Sequence, residues 1–347
     1  MQIFKQQTQQ AKIGLYDFEP SRIEFQANAP AKVVGKTVSA PATCIHCNNP
    51  RCMYFDKTDI QCNEIEDFAS ELTNNVCPVE AITWDVKTGT PVINTQACLN
   101  CGICASRCPV GAIYYDKSKI KVAKQPNSHV KMEDATRTAV TKQEEFISRA
   151  VSAPRQNPIQ IESDAALAIV YDQLEHLRSA HHNIFVRNLL IALSANCATR
   201  RTGDVYTRMD AIYSTVSGKF GAVEVEFGRD TLDASRGILD DIAVMNTRYH
   251  IDKHQNTPLV VCLHFPNARQ GYWQVVRDIR IVENIWINTV SIGELLILLW
   301  NNKKFDTKDS RYYLDYDCMS AREQLAKQLG RAARVSGRFL GILEPFK

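Results

Sequence analysis

The stretch CLNCGICASRCPVGAI, residues 98–113, decides the fold of the N-terminal part of the chain. Its four cysteines are spaced C-x2-C-x2-C-x3-C-P, which is typical of thiolates that ligate [4Fe–4S] clusters. Three thiolates on one tight loop occupy three corners of a cubane, and Gly102 is small enough to let backbone amides approach the sulfides. The fourth corner must come from elsewhere, because the proline turns the chain away. The stretch therefore predicts a cluster-binding loop that needs a further ligand.

A second cysteine motif precedes the first and repeats part of it. CIHCNNPRC, residues 44–52, has the same form with x4 in place of one x2, and Cys62 follows it. CPVEAI at Cys77 matches CPVGAI at Cys108, which indicates an internal repeat of two pseudo-symmetric halves. A pair of structural zinc sites is the alternative explanation for two C-x2-C pairs. The paired Cys-Pro sequences favour iron–sulfur clusters.

Composition limits the class of protein. With 347 residues the chain has room for two or three domains, and 45% hydrophobic and 23% charged residues are typical of a soluble globular protein. A net charge of +3 is too small to indicate nucleic-acid binding by itself. The longest apolar run, WINTVSIGELLILLW, is too short to span a bilayer. We expect a cytoplasmic protein without a membrane anchor, in which the twelve cysteines do not form disulfides.

Residues 40–122 resemble the dicluster [4Fe–4S] ferredoxin family, and the first motif looks like the iron–sulfur subunits of molybdenum oxidoreductases. In that family the Cys-Pro cysteine of each half ligates the other cluster. The resemblance implies one cluster on Cys44, Cys47, Cys52 and Cys108 and a second on Cys98, Cys101, Cys104 and Cys77. The chain departs from the family by a long insertion between Cys52 and Cys77. Cys62, inside the insertion, is therefore an alternative to Cys77, which we prefer because it precedes a proline.

The rest of the chain is predicted to form a second domain. Residues 1–39 are an N-terminal extension, and the polar, proline-containing residues 123–162 indicate a linker with at most one surface helix. Residues 163–300 alternate between helical and strand periods, with an αββαβ core that indicates an α/β/α sandwich. Residues 301–347 are interpreted as a basic helical segment, in which a helix carries Arg331, Arg334 and Arg338. The predicted fold class is thus α+β for the first domain and α/β for the second.

A pair of acids in this second domain indicates a metal site. In the strand-like run GAVEVEFG, Glu224 and Glu226 project from the same face, since a strand has a period of two. Asp210, in the preceding strand TRMDAIY, is placed to join them as a third oxygen ligand. Oxygen-rich sites of this kind suit Mg²⁺. The alternative is that both glutamates line the solvent face of an amphipathic strand.

An aspartate on one strand followed by Glu-x-Glu on the next resembles the PD-(D/E)XK nuclease superfamily, in its restriction-endonuclease branch. The resemblance implies that Asp210 and Glu224 hold the metal and that Glu226 replaces the usual lysine beside the attacking water. Glu175 is a candidate further acid. The remaining side chains of interest are candidate phosphate contacts (Lys219, Arg229), structural histidines (His250, His254, His264) and inert cysteines (Cys197, Cys262, Cys318).

Two functions from different classes follow. The first is a Mg²⁺-dependent DNA endonuclease with an iron–sulfur module, which family analogy places in restriction or anti-phage defence. The second is an electron-transfer protein whose nuclease-like domain only binds a protein partner, a redox donor or nucleic acid. The arginines of the C-terminal segment are expected to lie along a DNA backbone. The alternatives are a solvated surface helix or a helix that docks to a partner. The presence of all three acids favours the first function.

Overall fold

A computed structural model describes residues 44–85, 89–124, 137–152, 157–204, 206–228, 231–336 and 341–346. The predicted N-terminal extension lies outside these residues. The chain divides into two compact units. Of the described residues, the first unit contains those up to Phe55, those of Asn75–Ile161 and those of Trp300–Asn302, and the second unit contains Asp56–Asn74, Glu162–Leu299 and Lys303 onward.

Two short hairpins and a short helix form the framework of the first unit. Each hairpin starts directly after one of the repeated Cys-Pro sequences, so the internal repeat of the sequence is also a repeat of structure. The elements are β1 (Ile82–Asp85) paired antiparallel with β2 (Thr90–Ile93), α1 (Ile103–Arg107), and β3 (Ile113–Asp116) paired antiparallel with β4 (Lys119–Val122).

The segment predicted as a linker, residues 123–162, contains the helix α2 (Arg137–Ser152). This helix is more than a surface helix, because Phe146 and Ile147 are buried and the side chain of Gln143 is fully buried. The amide of Gln143 bonds to the backbone of residues 45–48. These contacts make α2 part of the first unit. Because most residues of α2 are polar, its narrow buried face could not be predicted from the sequence.

A five-stranded sheet forms the centre of the second unit. Its strand order is β5-β6-β7-β8-β9, with antiparallel pairing through the first three strands and parallel pairing through the last three. The strands are β5 (Asn196–Thr199), β6 (Ala211–Ser214), β7 (Phe220–Glu226), β8 (Leu259–Cys262) and β9 (Asn288–Ser291). The unit is therefore a mixed α/β structure.

The helices of the second unit precede the sheet, connect its parallel strands or follow its last strand. They are α3 (Asp164–Leu174), α4 (His182–Ala192), α5 (Leu232–Tyr249), α6 (Tyr272–Glu283), α7 (Ile292–Trp300) and α8 (Arg322–Leu329). Helix α5 joins β7 to β8, and α6 joins β8 to β9, as parallel strands require a crossover. The residues of α7 are all buried, which agrees with their apolar sequence.

The sheet has five strands, two more than the three of the predicted αββαβ core. The apolar spacing of residues 183–198 predicts a single helix, but the helix ends at Ala192 and β5 begins at Asn196. Ser194 lies between them with φ 74°, a left-handed conformation that terminates a helix. The predicted strand around Asp210 is also shorter, so that Asp210 directly precedes β6.

The insertion between Cys52 and Cys77 belongs mostly to the second unit. Cys62, Ile65 and Phe68 lie in the same hydrophobic core as residues of the sheet. Backbone bonds link the insertion to β5, with Glu71 N donating to Thr199 O at 2.8 Å. The insertion therefore covers the β5 edge of the sheet, which would otherwise expose unpaired backbone groups.

The predicted C-terminal helix is shorter than expected. It stops at Leu329, since Gly330 adopts φ 73° and caps it. Arg331 and Arg334 therefore lie beyond the helix, and Arg331 forms an ion pair with the buried Glu162. Arg338 lies outside the described residues. This correction removes the expected row of arginines on one helix. Within the described ranges, no helix is both long and apolar enough to cross a membrane.

Candidate functional site

The first cysteine quartet consists of Cys44, Cys47, Cys52 and Cys108, as the family resemblance implied. The four side chains line one cavity of about 340 Å³, its open mouth included. The pKa of Cys44 is raised to about 12, mainly by burial and in part by the nearby Cys108 thiol. Burial, followed by the Cys108, Cys47 and Cys44 thiols, also raises the pKa of Cys52. The fourth member thus comes from the second half of the repeat.

The second quartet is the pseudo-symmetric counterpart of the first and consists of Cys77, Cys98, Cys101 and Cys104. These side chains line a cavity of about 350 Å³, its open mouth included. The two cavities have similar volumes. Burial is the main cause that raises the pKa of Cys104, and the thiols of Cys101, Cys98 and Cys77 add to it. Cys77 therefore crosses from the first half of the repeat to the second quartet.

Backbone amides donate to the cysteine sulfurs in both halves. Ala81 N lies 3.2 Å from Cys77 Sγ, and Ala112 N lies 3.2 Å from Cys108 Sγ. Both donors are the fourth residue after the Cys-Pro cysteine, so the repeat extends to individual hydrogen bonds. Asn100 N also donates to Cys98 Sγ, at 3.4 Å. Such bonds favour the thiolate form and help to set the potential of an iron–sulfur cluster.

The cysteine quartets fit a cluster better than a single ion. Within the described ranges, no three His, Cys, Asp or Glu side chains are placed to hold one metal ion between them. Four thiolates around one Zn²⁺ would lie about 3.8 Å apart, given a tetrahedral Zn–S distance of about 2.3 Å. Four thiols that line one cavity suit a [4Fe–4S] cluster, which takes one thiolate at each of its four irons. The buried thiols have raised pKa values, so a bound cationic group is needed to keep them as thiolates.

Cys62 takes no part in either quartet. It is 4% exposed in the core of the second unit, and its thiol donates to Ile212 O at 3.5 Å. Cys77 lines the second cavity, as expected for the cysteine that precedes a proline. The geometry thus favours Cys77 over the alternative ligand.

Two aromatic side chains hold the loop of the second quartet. Tyr115 Oη donates to Asn100 O at 2.7 Å, and Trp300 Nε1 donates to Cys101 O at 2.9 Å. Gly102, which follows Asn100 and Cys101 in the loop, has φ 91°. A Cβ at this position would lie 2.5 Å from Tyr115 Oη. Glycine is required here by conformation and by space. These contacts define the conformation of the loop that carries Cys98, Cys101 and Cys104.

The predicted acids occupy the carboxyl end of β7 and the start of β6. Asp210 Oδ2 accepts a hydrogen bond from Val225 N at 3.1 Å, and its Oδ1 accepts one from Asn183 Nδ2 at 2.9 Å. Arg200 Nη2 lies 3.7 Å from the same Oδ1. Val225, like Glu224 and Glu226 beside it, is half-buried and does not belong to the core.

Glu224 and Glu226 have different surroundings. The pKa of Glu224 is raised to about 8, mainly by burial and then by the negative charges of Asp210, Asp241 and Glu226. Glu226 accepts a short hydrogen bond of 2.6 Å from Gly228 N. The structure thus brings Asp210 and Glu224 into one acidic cluster, and Glu226 is at its margin.

Asp241 is an acid of this cluster that the sequence analysis missed. It lies on α5, is 3% exposed, and has a pKa raised to about 7 by burial and by the charge of Asp210. The sequence contained a periodic signal that could have predicted the burial of Asp241. The buried residues Ile238, Ile242 and Met245 define the apolar face of α5, and Asp241 falls within that period.

The other candidate residues lie elsewhere. Glu175 approaches Nε2 of His264 at 3.8 Å and is not among the charges that act on Glu224. Lys219 is exposed, whereas Arg229 lies outside the described residues. The remaining predicted structural residues are exposed (His250, His254, Cys318) or buried (Cys197, Cys262).

Comparison with known proteins supports the iron–sulfur part. Residues 74–112 match the family model of the 4Fe–4S dicluster domain. The chain therefore contains a dicluster ferredoxin domain and binds iron–sulfur clusters. The matched range contains the second quartet and Cys108.

Several curated proteins are similar to this chain over 72 to 85 residues. An uncharacterized ferredoxin of Methanocaldococcus jannaschii is 31% identical over 81 residues, which are 23% of this chain and 38% of that protein. A tetrathionate reductase subunit of Archaeoglobus fulgidus is 28% identical over 85 residues, 24% of this chain and 30% of the relative. The polyferredoxin-like subunit of an aliphatic sulfonate oxidoreductase of Pyrococcus furiosus is 29% identical over 72 residues, 21% and 30% of the two chains. Each match thus spans well under half of the relative. No solved structure matches the chain.

Proposed function

We propose that the chain transfers electrons through two [4Fe–4S] clusters. The observation that carries this proposal is the sorting of eight cysteines into two quartets, each with one cysteine from the other half of the repeat. A [4Fe–4S] cluster supplies one-electron redox chemistry when bound. The chain's own residues hold the thiolates and donate amide hydrogen bonds to them.

A protein partner is part of this proposal. Two of the similar proteins are named as subunits of a reductase and of an oxidoreductase. A dicluster domain in such a chain carries electrons to or from another protein. We infer a redox partner protein for this chain on that basis.

A redox titration followed by EPR tests the electron-transfer proposal. Anaerobically purified protein is equilibrated at a series of potentials, and the paramagnetic signals of the reduced clusters are counted. The proposal predicts two clusters that are reduced reversibly. Clusters that are destroyed on reduction, or that stay in one state at every potential, would contradict it.

The acidic cluster favours a second candidate function, Mg²⁺-dependent hydrolysis of DNA phosphodiester bonds. The specific observation is that Glu224 and Asp241 are carboxylates with raised pKa values in one half-buried site, which calls for a cation as counter-charge. In this proposal Asp210 and Glu224 hold Mg²⁺, and Glu226 orients water. The order of strands β5 to β8, with α5 between β7 and β8, supports the resemblance to the restriction-endonuclease-like fold.

Cleavage of duplex DNA tests the second function. Wild-type protein with intact clusters is compared with Glu224→Gln and with Glu64→Gln, an exposed control in the insertion. Cleavage that requires Mg²⁺ and is lost in Glu224→Gln alone supports hydrolysis. Equal cleavage by all three proteins, or none by the wild type, would refute it.

A further inference from the structure

We propose that Asp241 is the third acid of a divalent-cation site with Asp210 and Glu224, in the place that the sequence analysis assigned to Glu226. The inference rests on the acidic site of the second proposed function. It changes the composition of that site and names a residue from a helix that the strand motif does not include.

The side chain of Asp241 is buried without a complete set of partners. It is 3% exposed, and its Oδ2 has no hydrogen-bond partner among the described residues. A buried carboxylate of this kind is costly unless a counter-charge or a hydrogen bond satisfies it. The apolar face of α5 surrounds it, with Ile238 and Ile242 both buried. A residue needed only for packing would be apolar at this position.

Helix α5 brings Asp241 to the side of Glu224. A Cβ at Gly237 would lie 3.0 Å from Glu224 Oε1, so the glutamate packs directly on the helix at this glycine. Asp241 is four residues further along and therefore lies on the same helix face, about 6 Å from position 237. The absence of a side chain at Gly237 leaves room for Glu224 next to Asp241.

The cations around the acids offset only part of their charge. Arg200 Nη2 lies 3.7 Å from Asp210 Oδ1, at ion-pair distance, and Arg200 Nη1 donates to Thr207 O at 3.0 Å. Arg208 pairs with the exposed Asp240 at 3.2 Å. The cluster thus retains an excess of negative charge that a divalent cation would balance.

The arrangement suits a hydrated ion such as Mg²⁺. No three acids of the described residues converge on a single point. Mg²⁺ keeps several of its waters and commonly takes one or two direct carboxylates. Asp210 and Glu224 therefore serve as direct ligands, and Asp241 accepts hydrogen bonds from the water of the ion. Glu226 lies at the margin of the cluster, where its carboxylate accepts a hydrogen bond from Gly228 N at 2.6 Å.

Mg²⁺ titration by calorimetry and by thermal unfolding tests the assignment on the full chain with intact clusters. Asp241→Asn is expected to weaken Mg²⁺ binding about 10-fold to 100-fold, as loss of an outer partner of a bound metal does. It should also raise the unfolding temperature in EDTA, because a buried charge is removed. Asp240→Asn, the exposed neighbour on the same helix, and Glu226→Gln should each bind Mg²⁺ within about threefold of the wild type, the usual scatter of such contributions.

Three results would overturn the assignment: wild-type affinity in Asp241→Asn, a greater loss in Glu226→Gln, or no Mg²⁺ binding by the wild type. Asp241→Ser is measured alongside, so that a folding defect of one variant does not decide the outcome. Absence of DNA cleavage by a protein that binds Mg²⁺ in the expected pattern contradicts hydrolysis and leaves the role of Asp241 intact.

Discussion

Replacement of Gln143 by methionine should release the first cluster selectively. Gln143 Nε2 donates to Ile45 O at 3.1 Å and to His46 O at 3.4 Å, and Gln143 Oε1 accepts from Asn48 N at 2.8 Å. These bonds join α2 to the loop that carries Cys44 and Cys47. Methionine keeps the length of the side chain and removes all three bonds.

The size of the effect follows from these three contacts. A hydrogen bond contributes about 0.5–1.5 kcal/mol net, so the loop loses about 2–4 kcal/mol of local stability. Because about 1.4 kcal/mol corresponds to a tenfold change in an equilibrium constant, the population of the open loop should rise on the order of 30-fold to 700-fold. Cluster loss through the open state should accelerate by a similar factor.

The assay is the rate of bleaching and iron release in air, with EPR of the surviving cluster. Glu144→Met, a change at the exposed neighbour on the same helix, is the control and should behave as wild type. The reasoning is refuted if Gln143→Met and Glu144→Met lose iron at the same rate, or if both clusters disappear together in Gln143→Met.

Three further predictions concern other parts of the molecule. Cys62→Ser should leave the iron content unchanged and lower the free energy of unfolding by about 1–3 kcal/mol, because a hydroxyl replaces a thiol in the core; loss of iron would contradict this. Gly102→Ala should abolish the second cluster and reduce iron from about eight to about four per chain, since its Cβ would clash with Tyr115; full iron occupancy would show that the loop can adapt. Burial raises the pKa of Glu294, so the folded state binds its proton more tightly than the unfolded state. Wild-type stability should therefore fall by about 1.4 kcal/mol per pH unit above the unfolded pKa of about 4.3, until the folded pKa is passed. Chemical denaturation across this pH range should show that the free energy of unfolding of Glu294→Gln falls less steeply with pH than that of the wild type, by the same amount. Equal pH dependences in the two proteins would exclude a buried titrating Glu294.

The cysteine motifs were predictable because their information is local. The spacing of Cys98, Cys101 and Cys104 fixes a tight loop, and the repeated Cys-Pro sequences mark the two halves. The exchange of Cys77 and Cys108 between quartets came from family resemblance. The structure groups the thiols in the same way.

The destination of the insertion was not predictable. Its residues Ile65 and Phe68 are apolar, but only long-range packing places them in the core of the second unit. The same holds for Gln143, since a single buried amide on a polar helix carries no periodic signal.

Two boundaries were missed for identifiable reasons. Helix α4 ends at Ala192 and is followed by a left-handed Ser194 rather than a glycine, so the usual stop signal is absent. Gly330 was such a signal, and the predicted C-terminal helix wrongly continued through it. The acidic pair was found because alternation along a strand is local. Asp241 was missed because it joins the pair through the tertiary packing of α5 on Glu224.

The most direct test of the account is the metal content of anaerobically purified protein, measured together with its Mössbauer spectrum. Two [4Fe–4S] clusters require about eight irons and about eight sulfides per chain, and Cys101→Ser should leave about half of each. Zinc in place of iron, or iron for a single cluster in the wild type, would contradict the assignment of the two cysteine quartets.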